Sequence, residues 1–390
     1  MNRRRFLQTT AALAAIHESA QAAPPATRII DTHTHFYDPS RPGGVPWPGK
    51  GTKLYRTVLP ADWLAVAAPH GVKETVIVEA SPLVEDNQWI LDLAAKEKCI
   101  VGFVGHLDPG AEFAANLKRF AANPIFRGIR WSGAFLLDEA KRDSVIAGAK
   151  LLAEHGLELD LNGAPAYLPN AAKLAADLPD LRVLINHLGA SGDPQALKPE
   201  WKENIRIVAK QPNVFMKVSA LVEQVKCEPG QAPRDTAYYL PILDHLWETF
   251  GPDRLIYGSN WPVSDKGAPY DVVFKIVDEY FRSKGSEACE KYFWKNSLAA
   301  YRWINRSGKD ATKQVFIDVG GRLSGPVPWS KGLTALKAVA IAGGFFWKAP
   351  RKLQIIRGGK TMTFDVKELT RDPIKDVPVE PDDIIRVPSE

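Results

Sequence analysis

The apolar residues of this chain fall into short, nearly continuous runs separated by longer amphipathic stretches. Runs at 28–31, 74–79, 100–105, 127–131, 157–161, 182–186, 213–218 and 254–257 are predicted as strands. Most are nearly all apolar rather than alternating, as expected of parallel strands covered on both faces. Stretches at 60–70, 87–96, 112–122, 138–154, 169–178, 201–210, 237–250 and 272–283 carry helical periodicity and fill the gaps. Strand and helix in regular alternation predict an α/β fold, a (β/α)8 TIM barrel of roughly 250 residues. An open doubly wound sheet is the main competitor, but no Gly-x-Gly-x-x-Gly follows the first strand.

The rhythm changes after Arg306-Ser307-Gly308-Lys309. From Val315 the pattern reads strand, a turn at Gly320-Gly321, a helix over 334–342 and then Gly343-Gly344. Strands at 353–357 and 361–366, joined at Gly358-Gly359-Lys360, and a last strand at 383–387 complete it. The expected organisation is a barrel over 28–305 and a small α+β unit over 313–390, divided by a polar, glycine-bearing linker.

The first residues have a different character. Arg3-Arg4-Arg5-Phe6-Leu7 matches a twin-arginine export pattern, followed by an apolar stretch over 11–16 and the small-x-small site Ala20-Gln21-Ala22. The stretch is too short for a membrane span, which takes about 20 apolar residues. Residues 1–22 are therefore expected to be a removable signal, leaving a periplasmic or otherwise exported chain with no transmembrane helix. Composition adds little: 45% hydrophobic and 24% charged residues suit an ordinary folded domain. A net charge of +5, three of it from Arg3, Arg4 and Arg5, leaves no basic tract for nucleic acid. Cys99, Cys227 and Cys289 are too dispersed for a disulfide framework and read as buried core thiols.

Candidate chemistry gathers where the predicted strands end. In Asp31-Thr32-His33-Thr34-His35, residues two apart face the same way in extended backbone. His33 and His35 can then share a metal. Barrel active sites draw on the C-terminal ends of several strands. The other ends carry Glu79, His106, Arg130-Trp131, Asp160 and Asn162, His187, Lys217 and Ser219, and Ser259-Asn260-Trp261. Arg130 suits a bidentate clamp on a carboxylate, or an ion pair with Glu79 or Asp160. Lys217 suits a substrate carboxylate or a salt bridge, and His106 a loop cap or a substrate contact. His70, His155 and His245 lie on or beside helices and read as structural. Trp47, in the Pro/Gly-rich loop 39–48 directly after the histidines, is a candidate lid.

Taken in strand order these stretches resemble the amidohydrolase superfamily, most closely its amidohydrolase-related branch of sugar-lactone and dicarboxylate lactonases. The carrying segments are Ile30-Asp31-Thr32-His33-Thr34-His35, Gly128-Ile129-Arg130, Ile185-Asn186-His187-Leu188-Gly189, Lys217-Val218-Ser219 and Tyr257-Gly258-Ser259-Asn260-Trp261-Pro262. The resemblance implies a hydrolase opening a lactone, or a related ester or amide, with activated water. It implies His33, His35 and His187 as metal ligands or carbonyl-polarising groups, and Glu79 as a further ligand. Zinc is the divalent metal expected, and a metal-free site is the alternative. Arg130, Lys217 and Trp261 are the expected substrate contacts.

One position departs from the family pattern. Asn260 stands where the family carries an aspartate general base, and an amide takes no proton near neutral pH. The base would then be Glu79, Asp31 or a metal-bound hydroxide. Residues 315–388 resemble the soluble-ligand-binding β-grasp (SLBB) domain, through Ile341-Ala342-Gly343-Gly344, Ile355-Ile356-Arg357-Gly358-Gly359-Lys360 and Pro381-Asp382-Asp383-Ile384-Ile385. That likeness implies a glycan, another ligand or an envelope protein as partner. A metal-dependent decarboxylase and a non-catalytic envelope binding protein are the competing readings of the whole.

Overall fold

The computed structural model describes residues 23–306, 314–318, 325–341, 350–357, 360–372, 375–381 and 383–386. The predicted signal and the glycine turns at 320–321, 343–344 and 358–359 lie outside these residues. Eight strands pair in chain order, each parallel to the next. They are β1 Ile30–Thr34, β2 Glu74–Val78, β3 Ile100–Gly105, β4 Phe126–Ser132, β5 Glu158–Asn162, β6 Arg182–Ile185, β7 Val214–Val218 and β8 Leu255–Tyr257. Thr34 bridges to Trp261, and the His35 N–H donates to the Trp261 carbonyl at 3.0 Å, which brings the two edges together. The expected barrel is the fold.

One helix follows each strand, and these eight outer helices are α1 Pro60–Ala67, α2 Val84–Lys96, α3 Phe113–Ala121, α4 Arg142–Glu154, α5 Leu168–Asp177, α6 Pro199–Ala209, α7 Leu240–Phe250 and α8 Tyr270–Ser283. Proline opens α1 and α6 at the first helical turn, where no amide hydrogen is needed. Each helix turns an apolar stripe to the strands, such as Leu117 and Phe120 of α3 and Ile276 and Phe281 of α8. Two further helices, α9 Ser286–Glu290 and α10 Asn296–Tyr301, were not legible as periodic segments. Together they cross the N-terminal end of the barrel. Asn296 bonds the Leu255 carbonyl at the start of β8, and Arg182 at the start of β6 bonds the Ala300 carbonyl.

The barrel interior mixes aliphatic side chains with buried charge. Ile30, Val76, Val104, Leu184 and Ile256 pack there with Tyr301 and Trp303. Asp160 and Lys217, both fully buried, face each other at 2.7 Å, and the Tyr301 hydroxyl donates to the second Asp160 oxygen at 3.0 Å. Glu158, also fully buried, is pushed well above the usual carboxylate range by burial and then by the Asp160 charge. It needs room at Gly128, where an added Cβ would sit 2.0 Å from a Glu158 carboxylate oxygen and 2.5 Å from its backbone oxygen. Gly128→Ala is therefore expected to destabilise the barrel by about 1–3 kcal/mol, read by urea denaturation. An unchanged midpoint would show that β4 and β5 can separate without cost.

The C-terminal residues form a second, five-stranded sheet in the order β10-β9-β13-β11-β12. Its strands are β9 Gln314–Asp318, β10 Gly325–Pro328, β11 Lys352–Arg357, β12 Lys360–Asp365 and β13 Ile384–Arg386, with helices α11 Ala335–Ile341 and α12 Val366–Arg371. β13 runs parallel to β9 and the remaining pairs are antiparallel. Val315, Ile317, Ala338, Leu353, Ile355 and Ile385 form its own apolar core. The cysteines depart from expectation: Cys289 is buried, Cys99 is half-buried and Cys227 is exposed, all three as free thiols. Cys227 follows the exposed Lys226 in the loop after β7, beyond reach of the core. Among the described residues no helix is long and apolar enough to cross a membrane.

Candidate active site

His33 lies within β1 and His35 just past its end, and both are buried. Their ring centroids are 5.0 Å apart, and His187, immediately after β6, brings its ring to 4.4 Å from His33. The three imidazoles expected from three separate motif positions are thus neighbours at the C-terminal mouth. Gly258 leaves room for His33 beside the end of β8, since a Cβ there would stand 2.8 Å from the His33 Cβ. His187 alone of the three is partly exposed, so the approach to the site is from its side.

Each ring has a different set of partners. His35 Nδ1 lies 3.0 Å from the Val78 carbonyl oxygen. A carbonyl only accepts, so Nδ1 carries the proton and Nε2 of the neutral ring holds a lone pair. His187 Nδ1 pairs with the Ser219 hydroxyl at 2.9 Å. Neither nitrogen of His33 has a hydrogen-bond partner among the described residues. Burial holds all three below the ordinary histidine range, His35 at about 3, with the Arg130 and Lys217 charges adding to the effect. The rings are therefore neutral at physiological pH.

Backbone strain marks the same rim. Among the described residues, six non-glycine positions have positive φ, and five follow directly on β6, β7 and β8. They are His187 (55°), Leu188 (58°), Ala190 (54°), Ala220 (54°) and Asn260 (61°). Each such position costs roughly 1–3 kcal/mol and persists where surrounding contacts hold it. Here the Gln224 side chain bonds the His187 and Ala220 carbonyls and ties the β6 and β7 loops together.

The acids expected as ligands or bases are engaged elsewhere. Glu79 accepts from Arg130 Nε at 2.9 Å, and Arg130 Nη2 also bonds the Glu79 carbonyl. Asp31 lies beneath the rings rather than among them, because its oxygens accept from the His33 and Ser259 amides and the Tyr270 hydroxyl. Burial raises its pKa. Lys217 is Asp160's counter-ion and not an open substrate contact. Trp261 is buried with 2% exposure, and its backbone joins β8 to β1 rather than its ring meeting solvent. His106 pairs with Asp108 at 3.2 Å, in the loop-capping position. Trp47 packs on His35 with ring centroids 5.7 Å apart, which places the 39–48 loop beside the site. His70, His155 and His245 make helix-side contacts, with Phe274, the Leu151 carbonyl and Trp201 respectively.

The four-ligand metal set is not assembled. With Glu79 committed to Arg130, no group of three or more His, Cys, Asp or Glu side chains among the described residues is arranged to hold a metal ion. Asn260 adds a neutral amide where a carboxylate would supply charge.

Sequence reasoning did not reach Glu223, in the loop after β7. The Asn260 Nδ2 group donates to Glu223 Oε1 at 2.7 Å, and the Asn260 Oδ1 atom lies 3.3 Å from His35 Nε2. Burial raises the Glu223 pKa to about 7. No spacing rule points to it. The available signal is the amide at position 260, which directs attention to carboxylates on neighbouring loops.

Closed parallel barrel, mouth histidines from β1 and β6, and a strained β8 loop define a hydrolase of the amidohydrolase type. The chain belongs to the amidohydrolase family, whose pattern it matches over residues 30–303. It is 30% identical to an L-fucono-1,5-lactonase of Burkholderia ambifaria, over 72% of this chain and 97% of that protein. It is 27% identical to an L-fucono-1,5-lactonase of Burkholderia multivorans, over 69% of this chain and 94% of that protein. Among solved structures it resembles a zinc-bound amidohydrolase of Burkholderia multivorans, with a TM-score of 0.63 and 25% identity. That likeness covers 71% of this chain and 99% of the other.

Proposed function

We propose that this protein is an exported lactonase that opens the lactone ring of a small sugar-derived acid. The observation that carries the reading is His33, buried between His35 and His187 with neither ring nitrogen paired among the described residues. An unpartnered buried polar group costs about 1–3 kcal/mol, and a substrate carbonyl accepting from His33 removes that cost. The neutral ring donates to the carbonyl oxygen and polarises it. The His35 Nε2 lone pair and Asn260 Oδ1 form a pair of acceptors that orients the attacking water. As the water oxygen bonds to the carbonyl carbon, its proton passes to His35 Nε2, and the same proton returns to the ring oxygen when the C–O bond breaks. The lactonases among the relatives support a sugar lactone as substrate.

Metal enters none of these steps, because the donor set does not assemble. The zinc-bound relative makes metal removal the direct check. L-Fucono-1,5-lactone and related aldonolactones are expected to be hydrolysed in a pH-indicator assay. Turnover is expected to stay within about twofold after exhaustive chelation, since carbonyl polarisation here needs no Lewis acid. Loss of turnover restored by added zinc would replace direct polarisation with a metal centre. Inertness toward every lactone, with or without zinc, would remove the lactonase reading.

Export is proposed on the twin-arginine pattern of residues 2–8 and the Ala20-Gln21-Ala22 site. A ligand-binding role of the β-grasp type is proposed for the C-terminal unit. The parallel β9–β13 pair flanked by antiparallel strands, with α11 packed on the same core, supports it.

A further inference from the structure

Position 260 lacks a carboxylate, yet a carboxylate stands directly behind it. Asn260 donates through Nδ2 to Glu223 at 2.7 Å, and its Oδ1 lies 3.3 Å from His35 Nε2. An ionised carboxylate only accepts hydrogen bonds, so it fixes the amide with Nδ2 toward Glu223 and Oδ1 toward His35. The second Glu223 oxygen is buried without a hydrogen-bond partner among the described residues. Asp31, Glu79 and Asp160 are each bound to other groups, which leaves Glu223 as the acid in contact with Asn260.

We propose that Glu223 is a positioning residue which, acting through Asn260, prepares His35 to take the proton of the attacking water. This rests on the lactonase reading. With Glu223 ionised, Asn260 Oδ1 faces His35 and receives the Nε2 hydrogen that forms as the water O–H bond breaks. The new imidazolium is then stabilised along the line His35, Asn260, Glu223, with one negative charge at its far end. When Glu223 is protonated its hydroxyl becomes a donor and the amide favours the opposite orientation. The Asn260 NH2 group then donates to His35 Nε2 and blocks the lone pair.

The arrangement makes activity depend on the ionisation of Glu223. Its pKa is raised by burial to about 7, lowered by its Asn260 hydrogen bond and by the facing Lys266, and raised by the facing Asp265. The Tyr239 hydroxyl also feels the Glu223 charge. The site is therefore switched on as pH rises through about 7 and off below it.

The test combines Glu223→Gln with a readout that needs no substrate. In ¹⁵N-histidine-labelled protein, the His35 Nε2 resonance, assigned with His35→Gln, is expected to shift between about pH 6 and 8 as the amide reorients. In Glu223→Gln that shift is expected to vanish, kcat for lactone opening to fall about 10- to 100-fold, and KM to stay within about twofold. The acid limb of the kcat profile is expected to vanish with it. The double variant Asn260→Asp/Glu223→Gln moves the single carboxylate next to His35 and is expected to recover at least about tenfold of the lost kcat. A Glu223→Gln protein with the parental pH limb and the parental His35 shift overturns the proposal. So does a double variant no better than Glu223→Gln. A parental protein that shows the His35 shift but opens no lactone overturns the lactonase reading and leaves the relay intact.

Discussion

His33→Ala is expected to lower kcat/KM for lactone hydrolysis by about 10²- to 10³-fold while the barrel stays folded, the loss seen when an oxyanion donor is removed. Among the described residues neither ring nitrogen of His33 has a partner, and the ring lies within reach of both neighbouring imidazoles. Its removal takes away no side-chain hydrogen bond to the described residues, so stability and activity should separate. The backbone contact to Asp31 uses the His33 amide and survives the substitution. His187→Ala is expected to cost less, because His187 is partly exposed and keeps a hydroxyl partner in Ser219. Steady-state kinetics beside circular dichroism distinguish the cases. A His33→Ala protein with full activity would move the electrophile to another residue.

Lys217→Ala is expected to destabilise the barrel by about 3–5 kcal/mol, because it leaves the buried Asp160 charge without its counter-ion. For a domain of this size that is a fall in Tm of roughly 2–4 °C per kcal/mol. The pair is fully buried at 2.7 Å, and Asp160 would keep the Tyr301 hydroxyl but no cation paired with it among the described residues. The pair is not expected to be a net source of stability. The triple variant Lys217→Met/Asp160→Leu/Tyr301→Phe, which removes the ion pair and its hydroxyl partner together, should lose less Tm than Lys217→Ala. Thermal denaturation of the two variants decides this, and equal losses in both would show that shape rather than charge dominates. Lys217 also contributes to the depressed pKa of His33, so its removal should let the rings titrate at higher pH.

The alternation of apolar runs and amphipathic stretches was enough to read the barrel, because each strand is buried on both faces and each helix on one. The same logic missed α9, α10, β10 and α12, which are too short for periodicity to mark. The β1 prediction stopped at Asp31, whereas the strand continues to Thr34. Polar residues carry the strand forward there because His33 faces the site while the Thr32 and Thr34 hydroxyls bond the Tyr257 carbonyl and the Thr75 hydroxyl of the neighbouring strands. His33, His35 and His187 were legible as chemistry at strand ends. The partners that give them distinct roles were not, since Val78, Ser219 and Asn260 come from three other strands or loops.

The sequence by itself determined the barrel, the three mouth histidines and the amide at position 260, because local periodicity and residue type are written along the chain. Only the tertiary structure decided that Arg130 takes Glu79, that Lys217 takes Asp160, and that Glu223 lies behind Asn260. Those pairings join groups 51, 57 and 37 positions apart. Which acid meets which base at such distances depends on how eight strands close on one another, and no local pattern records it.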